Sequence, residues 1–206
     1  MGRTSGPGIM LFMYPCCDEC FEDAGPAIMP AMKHKTLFAI ALPLALIVLS
    51  VSSAAKTVVE LKDAQGKSVG SAILWDHADA TGGGVGIELN LHDLPPGEHA
   101  LHFHQNAKCD PPDFKSAGPH FNPDEKKHGL ENPEGHHAGD MKNFTVGTAG
   151  KARFRTMNKD VNLGTDSHSL FSNGGTAIVI HAKPDDMKAD PAGNAGDRIA
   201  CGVITK

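Results

Sequence analysis

The chain has 206 residues, 40% of them hydrophobic and 21% charged, with a formal net charge of −5. That length suits one domain with a sizeable core. An acidic balance with no basic run and no aromatic ladder speaks against nucleic acid as a partner.

In chain order, residues 1–31 carry no pattern of a folded domain. Met32-Lys33-His34-Lys35 is a basic stretch, Leu37 to Val51 is an apolar run of 15 residues, and Ser53-Ala54-Ala55 offers small residues for cleavage; together they read as a secretory signal. The run falls short of the roughly 20 residues that span a bilayer, and no cysteine follows it to take a lipid, so no stable membrane anchor is expected after cleavage. A signal belongs at an N-terminus. Residues 1–31 are therefore read as a doubtful extension ahead of a start at Met32 or Met29, residues 32–55 as the signal, and 56–206 as one exported domain, periplasmic or extracellular. Cys16, Cys17 and Cys20 fall in the extension with no second pair of ligands to make a zinc site. Cleavage leaves only Cys109 and Cys201, and an even pair in an exported chain reads as a disulfide.

Eight short strands are predicted: Lys56 to Lys62, Ser68 to Trp75, Gly83 to Leu91, Gly97 to His104, Asn143 to Thr148, Lys151 to Met157, Thr176 to Ala182 and Arg198 to Thr205. Turn residues separate them, no segment has a convincing helical period, and the spacing favours an antiparallel sandwich or barrel. Thr176 to Ile180 is nearly all apolar and so is placed centrally.

The chemistry concentrates between Gly97 and Asp140. Leu101 and Phe103 alternate with His102 and His104, so the two imidazoles share one strand face, where they can ligate a single metal ion. The bland alternative is a polar strand face. Of the 12 histidines, six lie between His102 and His137. From Gln105 to Lys142 nothing reads as helix or strand, and so long a loop inside a domain needs something to offset its backbone entropy. Metal coordination by His120, His128, His136 or His137 and Asp140 would pin it. His181 ends a strand, where a lone histidine is as readily structural as functional.

Five separated blocks carry a resemblance to a known family: Gly97-x-His99-x-x-His102-x-His104; Ser116-Ala117-Gly118-Pro119-His120-Phe121-Asn122-Pro123; His128-Gly129; His137-x-Gly139-Asp140-x-x-Asn143; and Gly193-Asn194-Ala195-Gly196-Asp197-Arg198-Ile199-Ala200-Cys201-Gly202-Val203-Ile204. In this order they resemble copper/zinc superoxide dismutases, of the secreted bacterial kind. The resemblance implies an eight-stranded antiparallel Greek-key barrel with two long functional loops. It implies dismutation of superoxide to dioxygen and hydrogen peroxide by a cycling copper ion, bridged through a histidine to a structural zinc ion. Carried over residue by residue, the resemblance implies copper held by His102, His104, His120 and His181, and zinc by His120, His128, His137 and Asp140, with His120 shared. Asp185 resembles the carboxylate that links a copper-side and a zinc-side histidine, with Asp186 as its rival, as His136 is the rival of His137. His99 resembles a structural histidine. Arg198 resembles the arginine that receives the anionic substrate, with Lys188 as a second cation, and Cys109 and Cys201 match the family's disulfide. A homodimer is compatible with the resemblance but not fixed by it.

Zinc has no accessible second oxidation state and copper has one, which divides the redox and structural roles between them. A non-catalytic copper/zinc-binding or copper-delivery protein on the same fold would keep the histidines and the disulfide, but it would not need Arg198. A zinc hydrolase would need an open coordination position, which four protein ligands do not leave.

Overall fold

The computed structural model describes residues 55–79 and 82–206; the extension at 1–31 and the predicted signal, apart from Ala55, lie outside the described residues. The strands are β1 (Lys56–Asp63), β2 (Ser68–Asp79), β3 (Gly82–Leu91), β4 (Gly97–His99), β5 (Leu101–His104), β6 (Phe144–Val146), β7 (Ala152–Asn158), β8 (Thr176–His181) and β9 (Arg198–Ile204). The histidine strand, expected as one piece, is two. Ala100 breaks it because its N–H donates to Lys183 O and its carbonyl accepts from His181 N, at 2.9 and 3.0 Å, instead of continuing a ladder.

Seven strands form one antiparallel sheet in the order β5-β8-β9-β1-β2-β3-β7, and β4 pairs with β6. β6 and β7 are joined by a tight turn in which Gly147 N donates to Lys151 O and Gly150 N to Gly147 O, both at 2.9 Å. Since β4 runs on into β5, the sheet curls back on itself. Seen this way the nine segments are the eight strands expected. The β3–β4 connection passes over β7 and β6, which makes the path a Greek key.

The alternation predicted for β3 holds: Val85, Ile87, Leu89 and Leu91 all face the interior and are buried. They meet Val59, Leu61, Leu74, Leu101, Phe103, Ile178, Ile180 and Ile204 in one core. Each such side chain contributes about 1.5–3 kcal/mol when removed from water. Replacing Ile178 with valine at its centre should cost about 0.5–1.5 kcal/mol, read as a lower urea midpoint with an unchanged slope.

β8 is buried along its whole length because it is covered on both faces. Ile178 and Ile180 point into the barrel, while Ala177 and Val179 point outward into a second cluster with Phe114, Ala117 and Cys201. That outer cluster is where the long segment 105–142 docks. The segment contains one short 3-10 turn, Lys115–Ala117, and is tied to β9 by the expected Cys109–Cys201 disulfide.

Candidate metal centre

Because Leu101 and Phe103 fill the barrel, His102 and His104 emerge on its outer wall, both fully buried under segment 105–142. Isolated bridges bring His102 opposite Asp140 and His104 opposite His120. The backbone of 120–140 is drawn onto β5 by Phe121 N to Phe103 O, Gly139 N to Phe121 O and Phe103 N to Gly139 O, at 2.8, 2.8 and 2.9 Å. Gly139 is required by this approach, since a Cβ there would collide with the carbonyl oxygen of Phe103. His181 arrives from the end of β8, which pairs with β5.

Two groups of four ligand-type residues result, both entirely buried. His102, His104, His120 and His181 place their ligand atoms within 4.8 Å of one another, and so do His120, His128, His137 and Asp140. In the second group Asp140 Oδ1 is the focus: His120 Nδ1, His128 Nδ1 and His137 Nδ1 lie 2.9, 3.0 and 3.4 Å from it. In the first, His104 Nε2 and His181 Nε2 are 3.4 Å apart.

The other nitrogen of most of these rings is already engaged. His104 Nδ1 donates to Gly118 O at 2.9 Å and His181 Nδ1 to Gly196 O at 3.2 Å. His102 Nε2 and His128 Nε2 share Asp185, meeting its Oδ2 and Oδ1 at 2.8 and 3.0 Å. His102, His128 and Asp185 also form a third compact group of ligand type, but it has only three members and two of them already belong one to each of the other groups, so we read it as a bridge between the two sites. His102 Nδ1 and His120 Nε2 are buried and have no hydrogen-bond partner. Buried polar atoms are rarely left so unless something else meets them. Imidazole nitrogens facing other imidazole nitrogens suit copper, and three imidazoles with one carboxylate suit a closed zinc site, so the residues present fit both metals.

Metal uptake requires neutral imidazoles and ionised carboxylates, a state the surroundings favour at His102, His104, His120, His181, Asp140 and Asp185 but not at His128, which must give up a proton to a metal. Burial pushes His120 down to about 4 and His181 to about 3, lowers His104 well below its usual value, and lowers His102 despite its carboxylate partner. Burial opposes ionisation of Asp140, but hydrogen bonds from His120, His128 and His137 hold its carboxyl far below the usual range. Asp185 is also held low, against burial, by His102 and His128. His128, between these two carboxylates, is raised to about 9 in spite of its burial.

The carboxylate bridge is itself fixed. Asn143 clamps the Asp185 backbone, its Nδ2 donating to Asp185 O and its Oδ1 accepting from Asp185 N, each at 2.9 Å. Gly193, at φ +60°, lies so close that a Cβ would collide with Asp185 Oδ1.

Both rivals weighed from the sequence lie elsewhere: His136 pairs with Asp160 at 3.0 Å, and Asp186 is exposed and caps the backbone of Lys188 and Ala189. His99 bridges Pro95 O and His181 O, each at 2.8 Å, in keeping with a structural part.

A cavity of about 680 Å³ opens above the centre, lined by His120, His137, His181, Arg198, Lys126 and Lys127 among others. Arg198 is held by two carbonyls of segment 105–142, donating to Phe114 O and Gly118 O at 2.7 Å each. Lys188 is not among the lining residues and pairs with Glu131 at 3.1 Å, whereas Lys126 and Lys127 line the cavity without having been singled out in the sequence.

The family description copper/zinc superoxide dismutase (SODC) matches residues 69–204. The chain belongs to the copper/zinc superoxide dismutase family. Among its superoxide dismutase relatives is Superoxide dismutase [Cu-Zn] 1 of Aquifex aeolicus (strain VF5), 51% identical over 157 residues that cover 75% of this chain and 90% of that protein. The superoxide dismutase-like protein YojM of Bacillus subtilis (strain 168) is 38% identical over 148 residues, covering 71% of this chain and 74% of that protein. Among solved structures, a SOD-like protein from Bacillus subtilis superposes with a TM-score of 0.68 at 37% identity, covering 72% of this chain and 99% of that one. The Cu/Zn superoxide dismutase from Brucella abortus does so with a TM-score of 0.56 at 28% identity, covering 73% and 99%.

Proposed function

We propose that this chain dismutates superoxide, converting two superoxide anions and two protons to dioxygen and hydrogen peroxide. The observation that carries the reading is the pair of buried four-ligand groups sharing His120, beneath a cavity that also holds Arg198. Copper would be held by His102 Nδ1, His104 Nε2, His120 Nε2 and His181 Nε2, and zinc by His120 Nδ1, His128 Nδ1, His137 Nδ1 and Asp140 Oδ1. Bound copper supplies the one-electron carrier that dismutation needs, and zinc supplies a fixed positive charge.

The chain's own groups do the rest. Burial lowers Arg198 from its ordinary value, yet a guanidinium starts so high that it stays charged at any working pH. Its two carbonyl partners fix it at the cavity wall, where it draws a small anion inward and orients it. His120 lines the same cavity, and its Nε2, free of protein partners, is the atom at which a proton for the peroxide product can be held. Asp185 keeps His102 and His128 turned to their metals.

Metal analysis of the purified protein, with superoxide turnover measured before and after copper removal, tests the reading. Turnover should vanish with copper and return on reloading; a protein that binds both metals without turnover would be a carrier instead. Replacing Arg198 with methionine should lower the second-order rate about tenfold and weaken its salt dependence, with both metals retained. Loss of copper in that variant would rule out the steering role.

The same reading makes this an exported protein, periplasmic or extracellular. The leader pattern and the Cys109–Cys201 disulfide support it. N-terminal peptide analysis of secreted material should find a start near Lys56. A homodimer is the assembly to look for, by light scattering of the purified domain.

A further inference from the structure

His137 and Asp140 stand three residues apart in a stretch with no regular secondary structure, so their mutual placement depends on what holds the peptide between them. Two holds were described above, Gly139 N to Phe121 O and Phe103 N to Gly139 O. Within the turn Asp140 N donates to His137 O at 3.1 Å and His137 N to Asp140 Oδ2 at 3.0 Å, and a further hold comes from a residue that no motif marked. Asn158, the last residue of β7, is only 4% exposed. Its Nδ2 donates to Ala138 O at 2.7 Å and reaches Asp140 O at 3.4 Å, and its Oδ1 accepts from Asp160 N at 2.8 Å.

A short amide is the side chain suited to this place. It offers a donor to the loop and an acceptor to its own strand end, and a buried amide left without such partners would be costly. The strand beneath it is firmly set, because β7 is in continuous register with β3 and Asn158 stands opposite Val85. Asn158 thus carries the rigidity of the barrel into a stretch of the centre whose ligands sit on irregular backbone. None of its hydrogen bonds reaches His102, His104 or His181.

We propose that Asn158 is a positioning residue for the zinc half of the centre: by holding the carbonyls of Ala138 and Asp140 it fixes the approach of His137 and Asp140, and so sets the metal affinity of that half alone. The inference rests on the assignment of His120, His128, His137 and Asp140 as the zinc ligands. Outer partners that orient ligands of a metal typically change its affinity by about ten- to a hundredfold when removed.

The test titrates the metal-free full chain with Co²⁺ in competition with a chelator, following the visible spectrum, which reports ligand geometry, and titrates Cu⁺ separately. Asn158→Asp keeps the acceptor for Asp160 N but turns the donor into an oxygen facing two carbonyls. Asn158→Ser removes both contacts and adds no charge. Both variants should lose about tenfold or more in Co²⁺ affinity, with an altered spectrum, while copper affinity stays at the wild-type value and metal-free melting falls only modestly. Unchanged Co²⁺ affinity would overturn the proposal. So would an equal loss on the copper side, a much lower melting temperature without metal, or failure of both variants to fold, each of which would make Asn158 a scaffold residue. Asp140→Ala is the control: if it keeps wild-type Co²⁺ affinity, the ligand assignment has failed, and not the role of Asn158.

Discussion

Asp185→Ala should lower the affinity of the centre for its metals by about ten- to a hundredfold, and superoxide turnover should fall with metal content. The two halves of the centre meet at this carboxylate, with His102 Nε2 at 2.8 Å on one oxygen and His128 Nε2 at 3.0 Å on the other. With metals bound, each ring would give its Nε2 proton to Asp185 and offer a deprotonated Nδ1 for ligation. With the carboxylate gone, neither tautomer nor ring angle is specified. Asp185→Asn separates shape from charge, since it fills the same space yet can accept from only one of the two rings. Dialysis against a chelator followed by elemental analysis would measure the effect in both variants. Wild-type retention of both metals in Asp185→Ala would remove the bridge from the account.

Removing the disulfide by replacing Cys109 and Cys201 with serine should cost about 2–5 kcal/mol, a fall in melting temperature on the order of 10 °C for a domain of this size. The bridge closes a loop of 92 residues in sequence separation, and the entropy it removes from the unfolded chain grows with that length. Its reach also extends beyond stability. Segment 109–118 provides Phe114 to the outer cluster and the two carbonyls that hold Arg198, which lies three residues before Cys201. The serine variant should therefore lose second-order rate at constant metal content, as well as melting earlier. Calorimetry with and without a thiol reductant, paired with turnover at matched copper content, measures both effects. Equal melting of the oxidised and reduced proteins would contradict the first expectation, and an unaltered rate the second.

The strands were legible because their interior rows alternate cleanly, as Val85, Ile87, Leu89 and Leu91 do. The split at Ala100 was not legible, because it depends on backbone partners at Ala100 supplied by residues some 80 positions away. The residues of the two buried four-member groups were legible from the family resemblance, whose motifs favoured His137 over His136 and Asp185 over Asp186. Asn158 left no such trace: an asparagine at a strand end usually starts a turn, and only the folded loop shows that its amide is spent on Ala138. Lys126 and Lys127 were passed over for a similar reason. A charged run before a histidine reads as a solvated surface until the cavity wall is seen to include it.

Adjacent residues of β5 answer to separate demands, since Leu101 and Phe103 belong to the barrel's filling and His102 and His104 to what is mounted on its outer wall. Reactive groups and packing groups thus occupy alternate positions of one strand without competing for volume. A lineage, or a protein engineer, could repaint the outer surface of such a strand while leaving the filling untouched. The same barrel could then host chemistry quite unlike the present one, or none at all.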